Sequence, residues 1–280
     1  MSTSVHDATP CILGEGPLWH PTRGQLFWFD IIGQRLHTHG QCWDFDQIVS
    51  AAGWVDDARL LIASATGLLL FDLTTGTSDS VAPLEADRPN TRTNDGRADP
   101  YGGFWIGTMS KAADPRQGTI YRFYRGEVRA LFPEVTIPNG IAFSTDGSTA
   151  YFADTRKHTV WTTHLDSNGW PTGEPQVFRK DPTINPDGAV VDAYGNYWSA
   201  EWGGSRVASY DPSGQLRETV SFGAPHTSCP AFGGPDLSDL YCTTAQEHLT
   251  AEQRADGRPH GVTFVAPGVG KGQAEHRVLL

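Results

Sequence analysis

Three short segments, far apart in the chain, each set one oxygen-donor side chain beside Gly or Pro. They are Leu13-Gly14-Glu15-Gly16-Pro17-Leu18-Trp19, Ile137-Pro138-Asn139-Gly140-Ile141-Ala142 and Asn185-Pro186-Asp187-Gly188-Ala189. A hard divalent cation takes oxygens that converge from separate loops on one point. Glu15, Asn139 and Asp187 are therefore candidates for one metal site, provided the fold brings their segments together. Each segment also reads as ordinary turn chemistry. Asn139-Gly140 and Asp187-Gly188 suit a hairpin tip, because these residue types tolerate positive φ. Glu15 between two glycines is harder to explain that way, since a carboxylate gains nothing there from propensity.

The elements that must position these residues show as a repeat. Strand-rich stretches recur at residues 25–31, 59–73, 103–109 with 119–124, 149–154 with 159–165, 196–201 with 206–211, and 239–244 with 261–265. Most read as a β-branched or aromatic strand, a short polar loop and a second strand closed by a turn signal such as Asp211-Pro212-Ser213-Gly214. Tips at Asp146-Gly147, Gly195-Asn196 and Gly102-Gly103 support tight connections. Their spacing is near the about 40–50 residues of a propeller blade. Each candidate metal segment comes just before the strand-like stretch that opens a unit. Residues 244–255 are the best helical candidate, one short helix or an irregular loop. The expected fold is all-β: a six-bladed β-propeller of four-stranded antiparallel blades, as one domain over residues 1–280. Radial stacking covers both faces of each unit and leaves only short edges, and ligand sites then sit at one end of the central channel.

Bulk properties exclude some function classes. A net charge of −11 and a pI near 5.3 oppose binding to nucleic acid, which demands a basic face. They equally disfavour an anionic membrane surface. Cys11, Cys42, Cys229 and Cys242 form no CxxC pair and no zinc-ribbon spacing. The first residues carry no basic and apolar leader pattern, and no apolar run approaches the ~18 residues of a membrane span. A cytoplasmic protein with reduced thiols is the expectation. His37 and His39 alternate along a strand and read as a solvated face. No Gly-x-Ser-x-Gly elbow and no Gly-x-Gly-x-x-Gly fingerprint occurs.

Further segments fall in order along the chain: Trp28-Phe29-Asp30-Ile31, Arg92-Thr93-Asn94-Asp95-Gly96-Arg97-Ala98-Asp99-Pro100 with Gly107-Thr108-Met109, and Ser228-Cys229-Pro230-Ala231-Phe232-Gly233-Gly234. Together with the three metal-candidate segments they resemble the senescence-marker-protein/gluconolactonase/regucalcin family of six-bladed propellers that hydrolyse sugar lactones. The resemblance implies one divalent cation on Glu15, Asn139 and Asp187, with Ca²⁺, Zn²⁺, Mn²⁺, Mg²⁺ and Fe(II) all open. It implies substrate binding by Arg92 and Asn94, whose donors and acceptor suit hydroxyls and a lactone carbonyl. Those two residues also read as part of a surface turn. Asp187 is the expected catalytic base, and a water acidified by the cation is the open alternative.

The loop after Gly107-Thr108-Met109 looks short, with Arg116 near the place of an acidic substrate contact in some members; a base there would favour an acidic lactone. Trp19, Trp105 and Trp202 are candidates for stacking on a sugar, with blade packing the expected role of at least two. His226 carries no assigned role. The expected partner is a small-molecule sugar lactone, the expected state a monomer or weak homodimer. Two competing readings are a phosphotriesterase/paraoxonase-like propeller hydrolase and a non-catalytic calcium-binding propeller.

Overall fold

Six four-stranded antiparallel sheets account for nearly all regular structure. The computed structural model describes residues 2–280. Strand β1 (Ser4–Asp7) comes first and is used last. The first blade is β2 (Gly14–His20), β3 (Gln25–Asp30), β4 (Arg35–Thr38) and β5 (Gln41–Asp44). The second is β6 (Val49–Trp54), β7 (Arg59–Ser64), β8 (Gly67–Asp72) and β9 (Ser78–Pro83). The third is β10 (Thr91–Ala98), β11 (Phe104–Ser110), β12 (Gly118–Tyr124) and β13 (Glu127–Val135). The fourth is β14 (Pro138–Phe143), β15 (Thr149–Asp154), β16 (Thr159–Leu165) and β17 (Pro171–Lys180). The fifth is β18 (Pro186–Val191), β19 (Tyr197–Glu201), β20 (Arg206–Tyr210) and β21 (Leu216–Ser221). The sixth joins β22 (Thr227–Gly233), β23 (Asp239–Thr244) and β24 (Thr263–Ala266) to β1, which pairs antiparallel with β24. The two ends of the chain thus close the six-bladed propeller that the repeat predicts.

The packing follows from strand periodicity. Alternate side chains of a strand point to opposite faces, so a strand buried on both faces reads as a continuous apolar run. In Phe27-Trp28-Phe29, the two Phe rings pack with Leu60, Ile62 and Phe71 of the second blade. Trp28 faces the other way, toward Ala231 and Tyr241 of the sixth. In Phe104-Trp105-Ile106, Phe104 and Ile106 meet Leu61 and Ala63, while Trp105 meets Phe143 and Phe152. The apolar core is therefore divided among the interfaces between neighbouring blades.

The predicted turn tips appear at Gly102, Gly147 and Gly195, all with φ between 71° and 87°. Asp99 and Asp192 close such turns by accepting backbone N–H bonds at 2.8–2.9 Å. The helical candidate shrinks to α1 (Ala251–Arg254), a single turn held by a capping box between Thr250 and Gln253. No helix among the described residues is long and apolar enough to cross a membrane.

Two expectations need correction. The candidate metal segments do not precede the first strand of a unit; they lie within it. The strand-like stretches legible in the sequence are mostly the second and third strands of each blade. The inner strands escape notice because Gly, Pro, Asn and Asp are poor strand formers, and their pairing is interrupted early. His37 is not on a solvated face: it is buried and stacks on Trp28, with centroids 5.6 Å apart. Only His39 is exposed, beside Asp7.

One buried ion pair supports the third blade. Arg122 Nε donates to Asp99 Oδ2 at 2.6 Å, with both side chains fully buried. The guanidinium lies 4.4 Å from the ring centroids of Tyr124 and Trp170. Asp99→Ala strips a buried cation of its partner and also frees two turn N–H groups. It should cost about 3–5 kcal/mol of unfolding free energy, read from urea denaturation. A loss under about 1 kcal/mol, the range of exposed pairs, would show the pair to be dispensable.

Candidate functional site

A cavity of about 570 Å³ opens at one end of the ring, and Glu15, Arg92, Asn94, Asn139 and Asp187 all line it. All five are buried within the fold. They stand near the starts of four inner strands: Glu15 on β2, Arg92 and Asn94 on β10, Asn139 on β14 and Asp187 on β18. Residues from separate parts of the chain are thus brought to one place.

The inner strands present these side chains because their pairing breaks just there. Register shifts fall between Glu15 and Leu18, Thr93 and Gly96, Asn139 and Ala142, and Pro186 and Ala189. Blades two and six show the same shift, at Val49/Ala51 and Thr227/Pro230. A bulge frees residues from the ladder and re-aims a side chain. Gly16 and Gly140 adopt φ of 53° and 64°, which only glycine takes without strain. Space is equally restrictive: a Cβ on Gly140 would strike Tyr197 Oη, and one on Gly188 would strike Cys229 Sγ.

Polar contacts then lock the floor. Arg92 Nη1 donates to Thr93 O at 2.9 Å and to Asn94 Oδ1 at 2.7 Å. Asn94 Nδ2 donates to Asn139 Oδ1 and Pro138 O, each at 2.9 Å. Asn139 Nδ2 donates to Thr155 Oγ1 at 2.8 Å, and that hydroxyl donates to Pro186 O at 2.6 Å. The chain of bonds therefore runs from Arg92 to the residue before Asp187. Two buried carboxylates fix the approach to the inner strands. Asp30 accepts from Ile12 N and Leu13 N, and Asp154 from Thr136 N and Ile137 N, at 2.9–3.2 Å.

Glu15 and Asp187 line the same cavity and act on each other's carboxyl. Burial pushes the Glu15 carboxyl up to about 8, with Asp95 adding to the shift and Gly16 N–H and Arg92 opposing it. Burial also raises Asp187 well above the usual carboxylate range, and the neighbouring Glu15 and Asp95 add to it. Two like charges this close cannot both ionise without a counter-charge. A divalent cation would supply that charge. Asn139 Oδ1 has a second lone pair left after its bond to Asn94. Two carboxylates and one amide oxygen form a hard oxygen set that fits such an ion. No group of three His, Cys, Asp or Glu suited to a metal occurs among the described residues, so a cation here would need the Asn139 amide oxygen as well.

Other candidates fall differently. Trp202 lines the cavity and is backed by His226, stacked at 4.3 Å and 12°. Trp19 stacks on Tyr241, and Trp105 is wholly buried between blades. Arg116 does not line the cavity; it is exposed and pairs with Glu134. The 110–118 loop turns outward there and offers Lys111, Ala112 and Ala113 to the wall instead.

The wall also contains Thr155, Arg156, His158, Glu247 and His248, none of which the sequence reading singled out. Topology was the missing signal. In an antiparallel pair the end of the second strand lies beside the start of the first, as Pro138 pairs with Asp154 and Arg92 with Met109. Residues just after each second strand therefore reach the same rim.

The sequence profile of the SMP-30/Gluconolactonase/LRE-like region matches residues 13–246. A Rhizobium meliloti (strain 1021) protein described as a candidate sugar lactone lactonase is 38% identical over 90% of this chain and 88% of its own. The 6-deoxy-6-sulfogluconolactonase of Pseudomonas putida is 33% identical over 91% of each chain. The crystal structure of a calcium-binding protein, regucalcin, from Agrobacterium tumefaciens str. C58 superposes with a TM-score of 0.96 at 39% identity, covering 100% of this chain and 98% of that one. On the span of that profile match and the full-length similarity of these relatives, the chain belongs to the SMP-30/gluconolactonase/LRE-like family.

Proposed function

We propose that this protein is a metal-dependent sugar lactonase that hydrolyses an aldono- or sugar-acid lactone to the free acid. The observation that carries the reading is the meeting of Glu15, Asn139 and Asp187 with Arg92 and Asn94 in one cavity. Its volume lies within the roughly 300–1,000 Å³ of small-molecule sites. The relatives named as lactonases support the substrate class. The calcium-binding relative supports a divalent cation and makes Ca²⁺ the first ion to test. Four free cysteines suit a reducing compartment, the cytoplasm.

Glu15, Asn139 and Asp187 hold the cation, which when bound supplies Lewis acidity toward the lactone carbonyl and lowers the pKa of water. Arg92 binds substrate oxygens with the N–H groups not spent on Thr93 and Asn94. Trp202 offers a flat apolar surface to the carbon face of the sugar, held in place by His226. Asp187 takes a proton from the attacking water as the water oxygen bonds to the carbonyl carbon. The ring C–O bond then breaks, and the same proton goes to the departing ring oxygen, giving one carboxylic acid and one hydroxyl.

The direct test is proton release from five- and six-membered sugar lactones, with metal-stripped protein and single cations added back. Hydrolysis restored by a cation, well above the spontaneous rate, is the expected result. No stimulation with any pair would sink the proposal. Asp187→Ala should lower kcat by about 10²–10⁴-fold, the span of a lost general base, and weaken cation binding in calorimetry. Near-normal turnover would remove Asp187 from the mechanism. Arg92→Ala should act mostly on KM, because uniform binding leaves kcat unchanged.

The raised carboxyls make cation binding pH-dependent. A folded-state pKa above the unfolded value means the metal-free protein is more stable below the ordinary carboxylate range. It loses that stability as pH rises toward about 8, where Glu15 ionises. Protons and cation compete for the same oxygens, so affinity should rise between pH 6 and pH 8.5. Thermal shift with and without cation checks this: the gain in Tm should be larger at the higher pH. An equal gain at both would refute the pairing of Glu15 with Asp187 at the ion.

A further inference from the structure

We infer that this site is selective for sugar lactones carrying an anionic group at the end remote from the ring carbonyl, and that Arg156 is the residue that selects them. The inference rests on the lactonase reading and adds the charge of the substrate to it. Arg156 lines the cavity wall and is solvent-accessible. Only its backbone N–H is engaged, donating to Asp154 Oδ1 at 3.2 Å; its guanidinium has no hydrogen-bond or carboxylate partner among the described residues. Neighbouring cations differ. Lys157 pairs with Asp154 at 3.5 Å and lies over Trp161, and Arg116 pairs with Glu134. Arg156 is thus a free planar donor fork facing the substrate space.

Its position is fixed from below. Arg156 is the middle residue of the 3-10 turn Thr155–Lys157. Thr155 Oγ1 in that turn accepts from Asn139 and donates to Pro186 O, so the backbone carrying Arg156 is tied to the cavity floor. His158 closes the turn, with N–H donating to Thr155 O at 3.0 Å. Lys111, from the third blade, adds a second positive charge to the wall, with its Nζ tied to Pro89 O at 2.8 Å.

The acidic wall residue Glu247 does not cancel this pair. It follows β23 of the sixth blade, whereas Lys111 and Arg156 follow β11 and β15 of the third and fourth. The cavity therefore has a cationic side on blades three and four. In a chain of net charge −11, a local cationic wall at a cavity marks where an anion is wanted. A guanidinium fork matches a carboxylate, sulfonate or phosphate through two parallel N–H bonds.

The test measures kcat/KM on the cation-loaded protein for gluconolactone and for counterparts bearing carboxylate, sulfonate or phosphate at the far carbon. The quantity read is the ratio of anionic to neutral substrate, which cancels general damage to fold or metal loading. Charge-assisted bonding predicts a wild-type ratio of about tenfold or more for at least one anion. Arg156→Gln should bring that ratio close to one. Arg116→Gln removes the same charge outside the cavity and should keep the wild-type ratio. The anion with the largest ratio identifies the group. A wild-type ratio near one, or a ratio that survives Arg156→Gln, overturns the inference while leaving the lactonase reading intact. Failure to hydrolyse any lactone, neutral or anionic, brings both down.

Discussion

The close approach of the inner strands is the constraint on which the site depends. At the mouth of the channel the blades come so near that Gly188 meets Cys229 and Gly140 meets Tyr197 without room for a Cβ. Strands this crowded cannot keep a regular ladder, and each of the six breaks its pairing near its start. The break turns polar side chains into the cavity, and the crowding holds them there. Rotamer freedom is already lost in the folded protein, so little ordering remains when a ligand arrives. Glu15, Asn139 and Asp187 owe their convergence to this crowding as much as to their own chemistry.

Burial at such a convergence has an electrostatic consequence along the channel. Below the Glu15–Asp187 pair lies Asp95, which accepts from Ile141 N at 2.8 Å and whose pKa burial pushes up to about 6. Arg97 follows, donating to Ile141 O at 3.1 Å and Ala189 O at 3.0 Å and pairing with Glu275. Three buried acids thus lie above one buried base, and Asp95 limits the charge that Glu15 and Asp187 can hold. Glu275 belongs to the C-terminal segment, which crosses the end of the ring opposite the cavity. Gln273 reaches Val191 O at 3.0 Å, Trp54 Nε1 donates to Glu275 O at 2.8 Å, and Leu279 N donates to Gly102 O at 2.9 Å. One tail therefore bonds to the second, third, fourth and fifth blades at the far end of the ring.

Much of the fold was legible in the sequence, because middle strands such as Phe27-Trp28-Phe29 and Phe104-Trp105-Ile106 are buried on both faces and show continuous apolar runs. The inner strands were not. Glu15-Gly16-Pro17 and Pro138-Asn139-Gly140 have the composition of turns, and their strand character comes from tertiary pairing that no local pattern reports. The outer strands, such as Gln41–Asp44, are largely exposed and carry little hydrophobic signal. The five proposed site residues were named from motif order rather than from pattern, and the structure brings them into one cavity. Arg116 was misplaced because a loop's direction is set by its local backbone. It adopts a φ of 60° and turns its side chain to Glu134. The rim residues were missed because nothing local distinguishes Arg156 from any exposed arginine.

Floor and rim are thereby built on different physics. The floor residues sit on strands whose backbones are paired, bulged and crowded, so substitutions there disturb neighbours through steric contact and through the Arg92–Asn94–Asn139–Thr155 bond chain. The rim residues follow the ends of second strands, on backbone outside the bulged inner strands: Lys111, Arg156, Trp202 and Glu247. A rim side chain can change charge or size without moving the bulged strands, since its only link to the floor is a backbone turn such as the one Thr155 ties down. Reaction chemistry, which needs fixed oxygens, belongs on the floor. On the proposed reading, discrimination among lactones that share a ring carbonyl would belong on the rim, where a side chain can change without disturbing the floor.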